Sequence, residues 1–561
     1  DIERTRIKDI KAVFLLGAND MYIPGKENAG GILSEHDREL FQKGGVVLAP
    51  GAKEKAFIQK FYLYLLMTKP SEQLYVTYSK VSADGKTLRP AYLIQDLRRM
   101  YKKMEIQDAD CQPDKKELTP KSGFAYLIEK LQKKHEGLGT EWQELYTWYR
   151  QNPKWRKKIE QIVEACFYEK PKDGLTTRTA QRLYGTILEN SVTRLEKFSA
   201  CAYAHFLSYG LNLREREEYT FQAIDLGNIF HSAIEHFAKK LEAEGYTWTT
   251  LPEVRREELI EESVEESIVD YGNTILYSSA RNEYIIKRLK RMMRRTVWAL
   301  TKQLEKGDFM GGYEISFGGA SGLSTSDIAL DGHGRMRLRG KIDRVDICED
   351  EDNVYVKVID YKTGAKAFDL GELYYGLQLQ LVLYLNTALE LESRKNHGKT
   401  VIPAGIFYYQ MKDPIVDKEK DEEKLEKKIL KELRLDGVVN AREEVVRHLD
   451  REISGNSLVV PIGRNKDRSL SKASKTATQE EFELISEYAK KQMKQIGTRI
   501  LEGETEVSPY ELGTMTGCSY CPYKAICGFE EKIPGYEYRR LQKLKKDEAL
   551  MKMRKEVSEW E

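Results

Sequence analysis

Residues 336–347 alternate apolar and charged side chains. Residues 353–363 are rich in Val, Ile and Tyr, and between the two runs lies Glu349-Asp350-Glu351-Asp352-Asn353. Alternation, an acidic turn and a β-branched run predict a β-hairpin. Folded symmetrically about Glu351 and Asp352, that hairpin sets Asp343 directly opposite Asp360. Opposed Cβ atoms of an antiparallel pair lie about 4.5–5.5 Å apart, where two carboxylates repel unless a positive charge sits between them. A divalent cation with oxygen ligands meets that need. Asp360-Tyr361-Lys362 then places Asp360 and Lys362 on one face of the strand, because strand side chains alternate. Tyr361 points the other way, but its carbonyl remains a candidate ligand.

A metal-binding acid beside a lysine suits phosphodiester hydrolysis. The metal polarises the phosphate and lowers the pKa of water, while the lysine stabilises developing charge or positions that water. Gly364 ends the strand, and a helix is expected from about residue 371, with Leu377, Leu381, Leu385 and Ala388 as its buried stripe. Gln380 and Tyr384, four apart on a neighbouring face, suit a DNA strand, one holding a phosphate and the other stacking a base. In this order, Asp343, Asp360-x-Lys362 and Gln380-x-x-x-Tyr384 resemble the PD-(D/E)XK nuclease fold in its RecB-like branch. A plain hairpin with a surface Asp and Lys accounts for Asp-x-Lys alone, not for the whole series.

The chain has 561 residues, enough for about three domains, and opens on Asp1, so it reads as a fragment or a processed chain. Lys and Arg total 91 against 89 Asp and Glu, so any basic groove for nucleic acid is local. No apolar run is long enough to span a membrane and no signal peptide opens the chain. Seven scattered cysteines in so charged a chain point to a reducing, cytoplasmic setting and to metal ligation over disulfides.

Residues 1–90 read as an α/β segment: a strand over 11–17 ending in Gly17, a turn over 20–25, a helix over 54–67 and a strand over 74–78. The phrases VFLLGANDMYIP and LYVTYSK resemble the second RecA-like domain of superfamily 1 helicases, near its fifth and sixth motifs. Ser79-Lys80 stands where that family usually carries an arginine that reaches ATP, and no G-x-x-x-x-G-K-[ST] loop occurs, so no complete phosphate cradle for ATP binding is encoded. Residues 91–185 read as mainly helical. Their Trp142, Tyr146, Trp148, Tyr149 and Trp155 are expected in the core rather than stacked on bases. Residues 171–179, turn-rich and basic, mark a domain boundary, which separates 1–185 from 186–561.

Cys201 follows in an aromatic setting and by itself reads as a buried apolar residue. In the helix expected over 226–241, Gly227 precedes His231 by one turn and Glu235 follows by another. A neutral imidazole can join two aspartates at a metal. RecB-like nucleases use a histidine in this setting as a ligand, which assigns that role to His231, with His236 as the fallback. Residues 252–306 read as charged scaffold helices and 313–317 as a strand. Glu314 is a weaker site candidate, because related nucleases often carry an acid there. Residues 401–411 read as the next strand of the sheet. Residues 412–475 read as a charged insertion, solvated or made of paired helices to about residue 450 and ending in a basic loop, and 480–500 as an amphipathic helix.

Cys518-x-x-Cys521-x-x-x-x-x-Cys527 leaves a tetrahedral site one ligand short, and Cys201 can supply the fourth. The link would clamp the beginning of the nuclease domain to its end across a very long loop. Four thiolates suit zinc or an iron–sulfur cluster, and spacing does not separate the two. One upstream cysteine with a C-terminal triplet around a RecB-like core resembles the iron-staple nucleases, which implies a [4Fe–4S] cluster.

With SVTRLEKFSACAYAHFLSYGL, the GKIDR-to-YKTG hairpin and the cysteine triplet, nearly the whole chain resembles the AddB family. The implied fold is α/β: a partial RecA-like helicase domain followed by a PD-(D/E)XK (restriction-endonuclease-like) domain closed by an Fe–S cluster, with further helicase-like domains preceding it in the family. The resemblance implies a Mg²⁺-dependent exodeoxyribonuclease, partnered by the AddA helicase–nuclease, that resects double-strand breaks until a Chi signal and cuts the 5′ to 3′ strand. It implies Mg²⁺ held by His231, Asp343, Asp360 and the Tyr361 carbonyl, with Lys362 stabilising charge and Gln380 and Tyr384 guiding DNA. Two rivals are a non-catalytic DNA- or Chi-recognition module and a stand-alone CRISPR-associated Fe–S nuclease. The intact Asp343, Asp360 and Lys362 argue against the first, and the helicase-like segment argues against the second.

Overall fold

The computed structural model describes every residue except 1, 3, 4, 6, 21, 24, 26–33, 83, 84, 109–118, 133–138, 171–173, 217–220, 272–275, 313, 319–327, 332, 333, 365, 454, 560 and 561. Parts of the turn expected over 20–25 and of the boundary expected over 171–179, and the first residue of the strand expected over 313–317, lie outside the described residues. Contacts divide the chain into two compact units, Asp1–Tyr149 and Arg150–Glu561.

In the smaller unit, β1 (Ile10–Leu15) and β2 (Pro70–Val76) pair in parallel, with α1 (Ala52–Met67) in the crossover between them. Parallel neighbours need such a crossover. Leu15, Ile23, Ala91 and Ile94 form its core. Of the five aromatics expected inside, only Tyr149 is buried, its hydroxyl donating to Pro120 O, whereas Trp148 is 44% exposed. The helix of residues 140–151 buries one narrow face, too little to take every large ring.

The larger unit begins upstream of the boundary read from composition. Lys170 N–H donates to Pro534 O and Leu175 N–H to Gly503 O, so residues before and within the turn-rich stretch are tied into this unit. In chain order come α2 (Thr177–Tyr184), β3 (Ile187–Asn190), α3 (Val192–Ala200), α4 (Ala223–Ala243), α5 (Glu253–Asp270) and α6 (Ala280–Glu305). The strand run β4 (Ile315–Phe317), β5 (Arg335–Leu338), β6 (Gly340–Ile342), β7 (Arg344–Glu349) and β8 (Asn353–Lys362) follows. After it stand α7 (Leu370–Tyr374), α8 (Gln380–Lys395), β9 (Thr400–Gln410), β10 (Asp436–Asn440), β11 (Thr476–Ala477), α9 (Gln479–Glu502) and α10 (Lys546–Glu559).

The central sheet has five strands in the order β11-β10-β9-β8-β7. β8 pairs antiparallel with β7 and parallel with β9. Val354, Val356 and Val358 join one core with Leu381, Val382 and Leu385 of α8. Tyr355, Ile359 and Tyr361 join the other, with Phe230 of α4 and Met293 of α6. Alternation thus sorts one strand between two helical layers, and β8 is buried on both faces, as a strand flanked by helices must be.

Three expectations change. The first run is interrupted at Arg339 and Asp343, and its charged residues Arg344 and Asp346 are buried because helices cover both faces. The helix expected from residue 371 is two pieces, α7 and α8, so half-buried Leu377 lies in the link while Leu381, Leu385 and Ala388 remain the buried stripe. Residues 412–475 are not a solvated insertion. They carry β10, paired with β9, and bury Val459, Val460 and Ile462 in the core. Their charge sits on the helix over Glu422–Glu432, and that local excess hid a short apolar strand. The basic stretch 464–475 is pinned as well, by Arg464 on Glu443 and Lys475 on Asp436. Among the described residues no helix is long and apolar enough to cross a membrane.

Candidate active site

The site lies where β8 ends. The register of β7 on β8, Arg344 opposite Ile359, runs on to set Asp343 against Asp360 as the symmetric hairpin requires. Asp343 Oδ2 accepts from Tyr361 N–H at 2.8 Å, so the break in the strand is tied back to its neighbour. Asp360 is 1% exposed. Its Oδ1 accepts from Gln380 Nε2 at 2.9 Å, and its Oδ2 lies in ion-pair contact with Lys362 Nζ. Burial first, and the Asp343 charge next, raise the Asp360 pKa well above the usual carboxylate range against the pull of Lys362.

α4 brings His231 to the other face. Gly227 of that helix faces the end of β8, where a Cβ would stand in ordinary contact with Thr363 at 3.4 Å. His231 Nδ1 lies 3.3 Å from Asp343 Oδ1, and its ring stands edge-on to Tyr361 at 6.1 Å. Burial alone would lower the His231 pKa, but the Asp343 carboxylate raises it above the ordinary value. His236 is turned to Glu266 and Asp270 instead.

α8 supplies the remaining pair. Gln380 Oε1 accepts from Lys362 Nζ at 3.1 Å, and its Nε2 also reaches the Tyr384 hydroxyl at 3.1 Å. One amide therefore touches the acid, the lysine and the tyrosine. Glu314 is brought in through Lys341, which bridges it to Glu235. A cavity of about 10 Å³, the room of a single water, is lined by His231, Glu235, Glu314, Asp343, Arg344 and Tyr361 among others.

Sequence reasoning missed two groups. Glu196 of α3 accepts from Leu379 N–H at 2.8 Å and Gln380 N–H at 3.1 Å. Arg344, Asp346 and Lys357 form a buried ion network behind the site, with Arg344 Nε 2.6 Å and Lys357 Nζ 2.9 Å from Asp346 oxygens. Neither has a local signal, since an acid in an amphipathic helix and charges alternating in a strand both read as solvated.

The cysteines assemble at the opposite end of α3. Cys201 is buried beside Tyr523, with Cys521 packed against the same cluster. Burial first, then the neighbouring thiols Cys201 and Cys527, raise the pKa values of Cys518 and Cys521. The surrounding backbone is cross-linked: Tyr203 N–H donates to Glu506 O, Tyr523 hydroxyl to Leu213 O, and Arg539 to the carbonyls of Ser199 and Ala200. Cys111 lies outside the described residues, and Cys166 and Cys348 are free thiols elsewhere.

Among the described residues no three His, Cys, Asp or Glu side chains converge as closely as a bound metal requires. The donor sets nevertheless fit in kind. Asp360 Oδ2 is buried with the Lys362 ammonium in ion-pair contact, and Asp360 stands with a second carboxylate and an imidazole, a hard set for a divalent cation. The four thiols lie near enough to act on one another's charge, a soft set for zinc or iron–sulfur.

The family model of the PD-(D/E)XK nuclease superfamily matches residues 189–528, so the chain belongs to that superfamily. More particularly, residues 118–165 match the fifth domain of the ATP-dependent helicase/deoxyribonuclease AddB. Over 99% of its length the chain is 41% identical to the B subunit of the ATP-dependent helicase/deoxyribonuclease from Lachnoclostridium phytofermentans, and 35% identical to its counterpart from Alkaliphilus metalliredigens. It covers 48% and 49% of those two proteins, so the chain spans about half the length of the curated relatives it matches.

Proposed function

We propose that this chain carries the nuclease of an AddAB-type helicase–nuclease: a Mg²⁺-dependent exodeoxyribonuclease that works with an AddA partner to resect DNA ends, cutting the 5′ to 3′ strand. The observation that carries this reading is the joining of Asp343, Asp360, Lys362 and His231 at the end of one buried strand, with Gln380 holding both Asp360 and Lys362. His231, Asp343, Asp360 and the Tyr361 carbonyl would hold Mg²⁺, and Cys201, Cys518, Cys521 and Cys527 a [4Fe–4S] cluster that is structural. The chemistry Mg²⁺ supplies is Lewis-acidic: charge neutralisation at a phosphate and a lowered pKa for water.

The side chains do the rest. Lys362, steadied by Gln380 and Asp360, places a cation where charge grows on the phosphate. Gln380, beside Asp360 and Lys362, and Tyr384, mostly buried and bonded to its amide, would guide the nucleic-acid backbone. Glu314 is held by Lys341 at the edge of the cavity and is a reserve acid. The test is degradation of 5′-labelled single-stranded DNA with Mg²⁺. Asp360→Asn and Lys362→Ala are each expected to lower the rate by at least about 100-fold while the urea midpoint stays within normal range. Cleavage unaffected by either change overturns the assignment, and a folded protein that binds DNA without cleaving it, with AddA present, supports a recognition module instead.

A further inference from the structure

We infer that Glu196 is a positioning residue for the cleavage reaction, its carboxylate holding the first turn of α8 so that Gln380 can bridge Asp360 and Lys362. This rests on the nuclease reading above.

The first N–H groups of a helix have no partner within it. α8 begins after Leu379, which has no side-chain cap. The two leading donors, Leu379 N–H and Gln380 N–H, both go to one oxygen of Glu196, at 2.8 and 3.1 Å. A carboxylate is well placed there, because the helix dipole is positive at that end. The acceptor comes from α3, far away in sequence, so it fixes one helix against another where a local Ser or Asp cap would fix only the helix end.

Gln380 makes this contact functional. It is the first residue of α8, and its amide reaches Asp360 at 2.9 Å, Lys362 at 3.1 Å and Tyr384 at 3.1 Å. Any slip of its backbone moves all three contacts. Glu196 keeps some solvent contact as a residue, yet its carboxyl is set deep enough that burial raises its pKa, with the Lys366 and Lys362 charges opposing. α3 is itself held at its far end, where Arg539 binds the carbonyls of Ser199 and Ala200 just before Cys201.

The experiment compares Glu196→Gln, Glu196→Asp and Glu196→Ala in Mg²⁺-dependent cleavage of a 5′-labelled single strand, with hydrogen exchange followed at the amides of Leu379 and Gln380. Gln keeps an oxygen at the same reach, Asp keeps the charge but falls short, and Ala has neither. Expected are faster exchange at those two amides and a kcat lower by about 100-fold, the effect of roughly 1 Å of misplacement, for Asp and Ala. KM stays unchanged, as for an interaction realised in the transition state. Gln retains protection and most of kcat. Should Ala fail to fold, the Gln and Asp pair still decides. Wild-type kcat in Asp, or a Gln variant as impaired as Asp, overturns the inference, as does a rise in KM alone. If the unaltered protein does not cleave even with AddA present, the nuclease reading fails and this role fails with it. Cleavage that depends on Lys362 but not on Glu196 sinks this role alone.

Discussion

Asp346 accepts from Arg344 and from the backbone N–H of Gly312, forms an ion pair with Lys357, and is 0% exposed. Two cations and one anion thus share a site closed off from bulk solvent. Burial lowers the Lys357 pKa, and the Asp346 charge opposes that without reversing it. Arg344 also lies over the Trp248 ring at 4.4 Å and lines the small cavity next to Asp343. Removing the shared anion leaves two unmatched cations, whereas removing Lys357 leaves a matched pair. Asp346→Ala should therefore cost about 3–5 kcal/mol of stability, the usual penalty for stranding buried charge, and Lys357→Met far less or nothing. Urea denaturation of both variants decides it, and equal losses would mean that the network is held by packing rather than by charge. Gly312 belongs to the same arrangement, since a Cβ there would meet Val345 O at 1.7 Å.

The hairpin shows where an element can be read from sequence and where it cannot. Its register was legible because the acidic turn left one symmetric fold that opposed Asp343 to Asp360, and β7 on β8 has that register. The helix break between α7 and α8 was not legible, although Gly376 has a φ of +74°, which a glycine tolerates. The apolar spacing continues through the break, so periodicity alone reads one helix. Nor was the role of the turn visible. Glu349 through Asn353 read only as an acidic turn, yet Asp350 accepts from Asn353 N–H at 2.6 Å, Asp352 N–H at 2.9 Å and the Tyr355 hydroxyl at 2.8 Å. Burial alone would raise its pKa, but these donors bring it down to about 2. A folded-state pKa below the unfolded value contributes stability above the unfolded pKa, which is lost as pH falls from about 4 toward about 2. Asp350→Ala should then lower the urea midpoint near neutral pH, and the gap to the unaltered protein should narrow on acidification through that window. A gap independent of pH would assign the loss to turn geometry instead of to the carboxylate.

Across the whole nuclease unit, both ends of the chain segment meet at α3. Cys201 stands at its C-terminal end and Glu196 little more than one turn before, so the cysteine region and the start of α8 are both held by one helix. Joining Cys201 to the triplet closes a very long loop, and such a link takes roughly 5 kcal/mol of entropy from the unfolded chain. Protein contacts hold the same seam, through Tyr203 to Glu506, Tyr523 to Leu213 and Arg539 to Ser199. The clamp is therefore expected to loosen rather than vanish when a thiol is lost. If the proposed [4Fe–4S] cluster is what the thiols hold, Cys521→Ala, purified without oxygen, should take iron from about four atoms per chain toward zero. Protease should then cut within residues 508–545, while the central sheet keeps its protection. DNA cleavage should fall with the iron, because a mobile end of α3 releases the carboxylate that steadies Gln380. Zinc in place of iron would keep the clamp and change the metal. A Cys521→Ala protein that stays protease-resistant and fully active would leave the seam to its hydrogen bonds alone.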